Sequence, residues 1–164
     1  MSKLGVISDT HGLLNETMIA VKIFQQYGVQ TVIHCGDIGS DAVVRAFQDF
    51  DVHFVLGNMD REHESLQIAA EETGNLFYGW FGSIELSDKR IGFLHGHLPQ
   101  FEQEADSGRW DLLCFGHTHA ASLQMRGSTL LLNPGALYNV SRPTVAVVTL
   151  PDMTVEQLDV QAVR

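Results

Sequence analysis

Residues 3–12 read KLGVISDTHG, and residues 31–37 read TVIHCGD. Each is a short apolar run that stops at a polar side chain able to bind a metal ion. Such runs are too short for helices and are rich in β-branched residues, the pattern of a buried strand. Lys3 to Ser8 is therefore expected to form the first strand and Thr31 to Cys35 the second. Between them Leu14, Met18, Val21 and Phe24 follow helical spacing, and Gly28 is placed to end that helix.

Outward from there the alternation continues. Asp41 to Asp49 reads as a short helix capped by Ser40 or Asp41. Val52 to Leu56 reads as a third strand, and the polar stretch Arg61 to Glu72 as an exposed helix. The second half changes character. Ser83 to Leu86 and Arg90 to Leu94 flank a Ser-Asp-Lys turn as a hairpin. Gln100 to Ser107 reads as a short acidic helix and Leu112 to Phe115 as a strand. Ser122 to Arg126 and Thr129 to Leu132 form a hairpin around Gly127, and Thr144 to Leu150 and Thr154 to Leu158 finish the chain as strands. Strand–helix units followed by hairpins point to an α/β arrangement of two packed mixed sheets with helices outside. No repeat or linker-like composition interrupts it, so residues 1–164 are expected to form one domain.

The chain is 45% apolar, enough for a sizeable core. Its formal charge of -10 argues against non-specific nucleic-acid binding, which needs clustered Lys and Arg. A phosphorylated substrate remains compatible, because bound dications reverse the local field. Cys35 and Cys114 sit in apolar runs and read as reduced core thiols. The N-terminus has too short an apolar stretch for a signal peptide. No run approaches the ~20 residues of a membrane span, so a cytoplasmic location is expected.

The chemistry lies where the apolar runs stop. GVIS leads to Asp9 and His11, TVIHCG to Asp37, and HFVLG to Asn58. IGFL leads to His95 and His97, LLCFG to His117 and His119, and LLL to Asn133. In open α/β sheets ligands bind outside the carboxyl ends of strands, so neighbouring strands would gather these residues in one crevice. Carboxylate, imidazole and amide oxygen together suit borderline divalent ions. Mn2+ is the first choice, with Ni2+, Co2+, Fe2+ and Zn2+ as alternatives. The set suffices for two ions if one carboxylate bridges. His34 reads as a core or hydrogen-bonding group, and His53 and His63 as surface or boundary residues. The aromatic segment NLFYGWFG, residues 75–82, could stack a base. It reads first as core or subunit-interface packing, which leaves a homo-oligomer open. Walker-type loops, His-Glu-x-x-His and Gly-x-Ser-x-Gly are all missing from the sequence.

Six blocks then fall in order: SDTHG at 8–12, HCGD at 34–37, GNMD at 57–60, HGH at 95–97, GHTH at 116–119 and NPGA at 133–136. Their order and spacing resemble the calcineurin-like metallophosphoesterase superfamily, and the short chain is most similar to its small YfcE-like phosphodiesterases. The resemblance implies a four-layer αββα sandwich. It implies a binuclear centre with Asp9, His11, Asp37 and His119 on one ion and Asp37, Asn58, His95 and His117 on the other, Asp37 bridging. It also implies in-line hydrolysis of a small phosphate ester, foremost a diester, by a metal-bridging hydroxide. One position departs from the pattern. Many members carry His after the Asn of the third block, as general acid or transition-state stabiliser; here it is Met59, which leaves Asp60 without its usual partner. His97 or water could supply the proton, so catalytic roles fall on Asp37, Asn58 and His97. The alternative reading is an interaction scaffold, like the small retromer subunit that resembles this family. The complete ligand set favours an enzyme.

Overall fold

The computed structural model describes residues 1–163. β1 (Ser2–Ile7) is followed by α1 (Leu14–Tyr27), β2 (Thr31–His34), α2 (Asp41–Ala46), β3 (Asp51–Phe54), α3 (His63–Glu72) and β4 (Leu76–Phe77). The chain continues through β5 (Phe81–Leu86), β6 (Lys89–Leu94), α4 (Gln100–Asp106), β7 (Leu112–Cys114) and β8 (Ser122–Arg126). It finishes with β9 (Thr129–Asn133), β10 (Thr144–Leu150), β11 (Thr154–Asp159) and a 3-10 turn (Val160–Val163).

Successive side chains of a strand point to opposite faces, and in β1 this decides the layering. Leu4 and Val6 join one core with Ile33, Val55, Phe93, Cys114 and Leu132, whereas Ile7 joins another with Phe24, Val32, Val44 and Phe54. The first core lies between two sheets, and the second lies under α1, α2 and α3. A third core, of Leu94, Ala105, Leu113, Phe115 and Leu131, seats α4 on the far side. The result is the expected αββα sandwich.

One sheet has the order β11-β10-β1-β2-β3-β4, and the other β5-β6-β7-β9-β8. β1 through β4 run parallel, as do β6, β7 and β9, while the outer pairings of both sheets are largely antiparallel. Both sheets are mixed, and the parallel strands of each direct their carboxyl ends to one edge. The hairpin between β5 and β6 turns on Ser87 and Asp88, both at positive φ, as a two-residue type I′ turn needs.

Several expectations are corrected. β2 and β3 leave their ladders at His34 and Phe54, so Cys35–Asp37 and Val55–Asn58 continue beyond the sheet as loops. α3 is not simply exposed, because Leu66, Ala69 and Ala70 bury one face. His53 is not a surface residue: it is 6% exposed. Its parity with Val55 turns it toward the inter-sheet core, where its Nδ1 shares a hydrogen bond with the Tyr78 hydroxyl at 2.9 Å. That partner is what lets a polar ring be buried there. His63 is exposed, as expected. No described helix is long and apolar enough to cross a membrane.

Candidate metal centre

The loops that leave β1, β2, β6 and β7 are stitched into one crevice. The amides of Asp9 and His11 donate to the carbonyls of Gly36 and Asp37 at 3.0 and 2.9 Å. The His95 Nδ1 bonds the Cys35 carbonyl at 2.8 Å, joining the two sheets. The His117 amide donates to Asp9 Oδ2 at 3.1 Å. Asp37 Oδ2 lies 3.3 Å from both His11 Nε2 and His95 Nε2. Asp9 Oδ1 lies 3.1 Å from His119 Nε2, 3.8 Å from His11 Nε2 and 3.9 Å from His95 Nε2.

Holding this cluster costs the backbone conformational energy. Asp9, His11, Asp37, His117 and His119 all have positive φ, between 43 and 68°. Non-glycine residues rarely adopt that region, and strain of this kind gathers at functional sites. Two glycines supply room. A Cβ on Gly57 would land on Asp37 Oδ1, and one on Gly116 would land on Ser8 Oγ and near Asp9 Oδ2.

The donor chemistry asks for a cation. The buried Cys35 carbonyl can only accept, so His95 Nδ1 carries the hydrogen, and in the neutral ring Nε2 keeps its lone pair. That lone pair faces two carboxylates. Among the described residues, Asp9 Oδ1, His11 Nε2, His95 Nε2 and His97 Nδ1 are buried side-chain atoms without a hydrogen-bond partner. Each such atom costs about 1–3 kcal/mol unless something binds it. Two groups of donors, Asp9, His11 and His119, and Asp9, Asp37 and His95, each fall within 4.8 Å of one another. The electrostatics agree. Burial alone would raise the Asp37 carboxyl, but His95, the Met59 amide and His11 outweigh it and hold the carboxyl below its ordinary range. Burial alone would lower His95, yet Asp37 and Asp9 hold it above its ordinary range. The site favours positive charge between its carboxylates, and divalent ions fit that demand.

The sequence signature of the calcineurin-like phosphoesterase superfamily domain matches residues 2–153. The chain belongs to that superfamily. Phosphodiesterase MJ0936 of Methanocaldococcus jannaschii is 33% identical over 154 residues, covering 88% of this chain and 91% of that protein. Phosphodiesterase YfcE of Escherichia coli is 27% identical over 152 residues, covering 84% of this chain and 80% of that protein. A solved archaeal phosphodiesterase superposes with a TM-score of 0.89 at 30% identity, over 96% of this chain and 99% of its own. These relatives support the small YfcE-like type and a metal-dependent phosphoesterase hydrolase.

Within this superfamily fold the candidate ligands are not placed alike. Asp9, Asp37 and His95 are buried, and His11 and His119 are half-buried. His117 is exposed but has its ring 5.1 Å from that of His95. Asn58 is exposed in the loop after β3, and its side chain makes no hydrogen bond among the described residues. His97 packs against His95 and His117, with ring centroids at 5.4 and 6.1 Å. Burial and the neighbouring His95 and His117 hold its imidazole below the ordinary range. Asp60 does not lack partners: its carboxylate accepts from the Gly39 and Gly57 amides at 3.0 and 2.9 Å. Met59 donates its amide to Asp37 Oδ1 at 2.8 Å while its side chain is 51% exposed. Residue 59 thus serves the site through its backbone amide, which every residue but proline supplies.

Other groups hold the ligands in place. Ser8 Oγ donates to Asp9 Oδ2 at 2.5 Å. His34 accepts the Gly36 amide on Nδ1 at 3.2 Å, which leaves Nε2 to donate to Thr10 Oγ1 at 3.0 Å. Thr10 in turn donates to the Ile38 carbonyl at 2.9 Å, so His34 ties together the loops that carry Asp9 and Asp37. Buried Asn133 donates to the Gly116 carbonyl and to Thr118 Oγ1, each at 3.0 Å, and sets the loop of His117 and His119. Tyr138 lays its ring 4.4 Å from that of His11. Of these, only His34 and Asn133 carried a signal, as polar residues at strand ends.

Two clefts flank the crevice. One, of about 240 Å³, is lined by Gly39, Ser40, Met59, Arg61 and Leu66 among others. The other, of about 360 Å³, is lined by His119, Ala121, Arg142, Thr144 and Gln157.

Proposed function

We propose that residues 1–164 form one cytoplasmic, two-metal phosphodiesterase domain acting on a small phosphate ester. The observation that carries this reading is the convergence of four buried, unpartnered polar atoms, Asp9 Oδ1, His11 Nε2, His95 Nε2 and His97 Nδ1, at the carboxyl ends of strands from both sheets. Asp9, His11, Asp37 and His119 would hold one ion, and Asp37, Asn58, His95 and His117 the other. The position of Asp37 Oδ2, 3.3 Å from an imidazole of each set, supports its role as the bridge. Asp9 Oδ1, near three imidazoles, sits close to both sets. When bound, divalent ions supply an ionised water nucleophile and neutralise charge on the phosphoryl oxygens during in-line displacement. Mn2+ is the expected ion, because the donors mix hard oxygen with imidazole.

The protein's own groups do the rest. The Cys35 carbonyl fixes the His95 tautomer, an arrangement that orients metal-binding imidazoles. Met59 and Gly57 leave Asp37 one orientation. Asn58 and His117, exposed at the mouth, would complete the second ion's site from the solvent side. The net charge of -10 disfavours polyanionic nucleic acid and favours a small ester drawn in by the ions. A pure scaffold has no use for buried donors that cost stability.

The test is a leaving-group series of phosphodiesters on the Mn2+-reconstituted protein. General acid catalysis contributes roughly 10²–10⁴-fold and matters most for strongly basic leaving groups. With Met59 at the acid's position, activated aryl diesters should turn over readily and alkyl diesters poorly. Met59→His should flatten the dependence on leaving-group pKa, and His97→Ala should steepen it without removing metal if His97 handles the proton. Full turnover in excess chelator would contradict the metal-dependent reading. Identical slopes in all three proteins would exclude both side chains as donors.

A further inference from the structure

Two partly exposed aromatic rings lie at opposite ends of the histidine cluster. Tyr138 contacts the rings of His11 and His119, at 4.4 and 6.3 Å between centroids. Trp80 contacts His97 at 5.5 Å, and His97 packs in turn on His95 and His117. Asp37 stands between, facing His11 on one side and His95 on the other. Each residue keeps a large open surface, 42% for Tyr138 and 43% for Trp80, with His63 set edge-on to the Trp80 ring at 5.6 Å. Met59, next to Asn58 in the chain, and Leu98, next to His97, are also exposed apolar side chains. Large rings are costly to leave in water, and tyrosine and tryptophan in such positions commonly present a flat face to a ligand.

We propose that Tyr138 and Trp80 are two aromatic walls, one at each end of the metal centre, that stack the two ester groups of a phosphodiester whose alcohols each carry a planar aromatic ring. This rests on the phosphodiesterase reading above. A diester centred near Asp37 carries one ester group toward His11 and Tyr138 and the other toward His97 and Trp80. A monoester would use one wall. The shared chemistry is a π-face, which a nucleoside and an aryl alcohol both present. Stacking on an aromatic side chain tolerates different rings, because every base has such a face.

The experiment keeps the leaving group constant and varies the other ester. Methyl p-nitrophenyl phosphate, bis(p-nitrophenyl) phosphate and thymidine 5′-(p-nitrophenyl) phosphate are compared on Mn2+-loaded wild type, Trp80→Ala, Trp80→Phe, Tyr138→Ala and Tyr138→Phe. Wild type should favour an aromatic second ester over methyl through KM. Trp80→Ala or Tyr138→Ala should lose that preference by roughly 10-fold, within the range of base–aromatic stacking. The Phe variants should keep most of it, and metal content should not change. Preference for thymidine identifies a nucleoside, and preference for p-nitrophenyl identifies an aryl alcohol. An equal loss on all three esters, with metal lost as well, would mean that the rings only buttress the imidazoles and would overturn the proposal.

A binding arm separates this idea from catalysis. Diphenylphosphinate should bind the Mn2+-loaded wild type more tightly than dimethylphosphinate by calorimetry, and Trp80→Ala should erase the difference. Absence of all diester turnover would defeat the phosphodiesterase reading alone. Equal affinities for the two phosphinates in wild type would defeat the aromatic walls.

Discussion

Asp37→Asn should lower Mn2+ occupancy and diester turnover together, each by more than the roughly 10–100-fold typical of losing an outer partner of a metal ligand. Asparagine keeps the size of the side chain and can still accept from the Met59 amide, so the loop need not collapse. What disappears is the negative charge facing His11 and His95 at 3.3 Å each. If that charge is shared by two ions, neither ion keeps its site. The measurement is elemental analysis after gel filtration, paired with initial rates on an aryl diester. Lys22→Ala, an exposed residue of α1 outside the cluster, serves as the control and should change neither quantity. Equal, small effects from both substitutions would mean that the site has been misplaced.

Gly116→Ala should be nearly as damaging, although it removes no ligand and changes no charge. The backbone at Gly116 is not left-handed, so room is what the glycine supplies. A Cβ there would land on Ser8 Oγ and lie 2.6 Å from Asp9 Oδ2. One of two things must give: the Ser8–Asp9 pair shifts, or the loop of His117 and His119 moves outward. Overpacking of this kind costs roughly 1–3 kcal/mol of stability, which a thermal melt will register. The larger loss should be functional, because a shift of about 1 Å in a reacting arrangement can cost on the order of 10²-fold. A folded Gly116→Ala protein with wild-type metal affinity and turnover would contradict the packing argument. Gly57→Ala should act in the same direction through Asp37 Oδ1.

The strand ends were the legible part of this protein. GVIS, TVIHCG, IGFL and LLCFG read as strands because β-branched and apolar runs stop abruptly at polar residues, and the parallel strands then deliver Asp9, Asp37, His95 and His117 to one edge. Gly28 ends α1 in a left-handed turn, and the turn at Ser87 and Asp88 links β5 to β6, both as read from local chemistry. What stayed hidden depends on partners far away in the chain. The amide of His117 reaches Asp9 across a separation of 108 residues, and His95 reaches Cys35 across 60. No local pattern encodes such pairs. His53 reads as a surface or boundary residue because it stands at no strand end, whereas the parity it shares with Val55 turns it inward toward Tyr78. β4 is only two residues long and leaves no periodicity to read. The amide donors of Asp60, Gly39 and Gly57, could not be read from the sequence, because they become neighbours only when the loops after β2 and β3 meet.

Anomalous diffraction from crystals of the Mn2+-reconstituted protein decides whether two ions share Asp37. Two peaks per chain are expected about 3.5–4 Å apart, the spacing of two-metal hydrolysis, with Asp37 contacting both. His11 and His119 should lie on one peak, and Asn58, His95 and His117 on the other. A single peak at saturating Mn2+, or two peaks of which Asp37 touches only one, would contradict it.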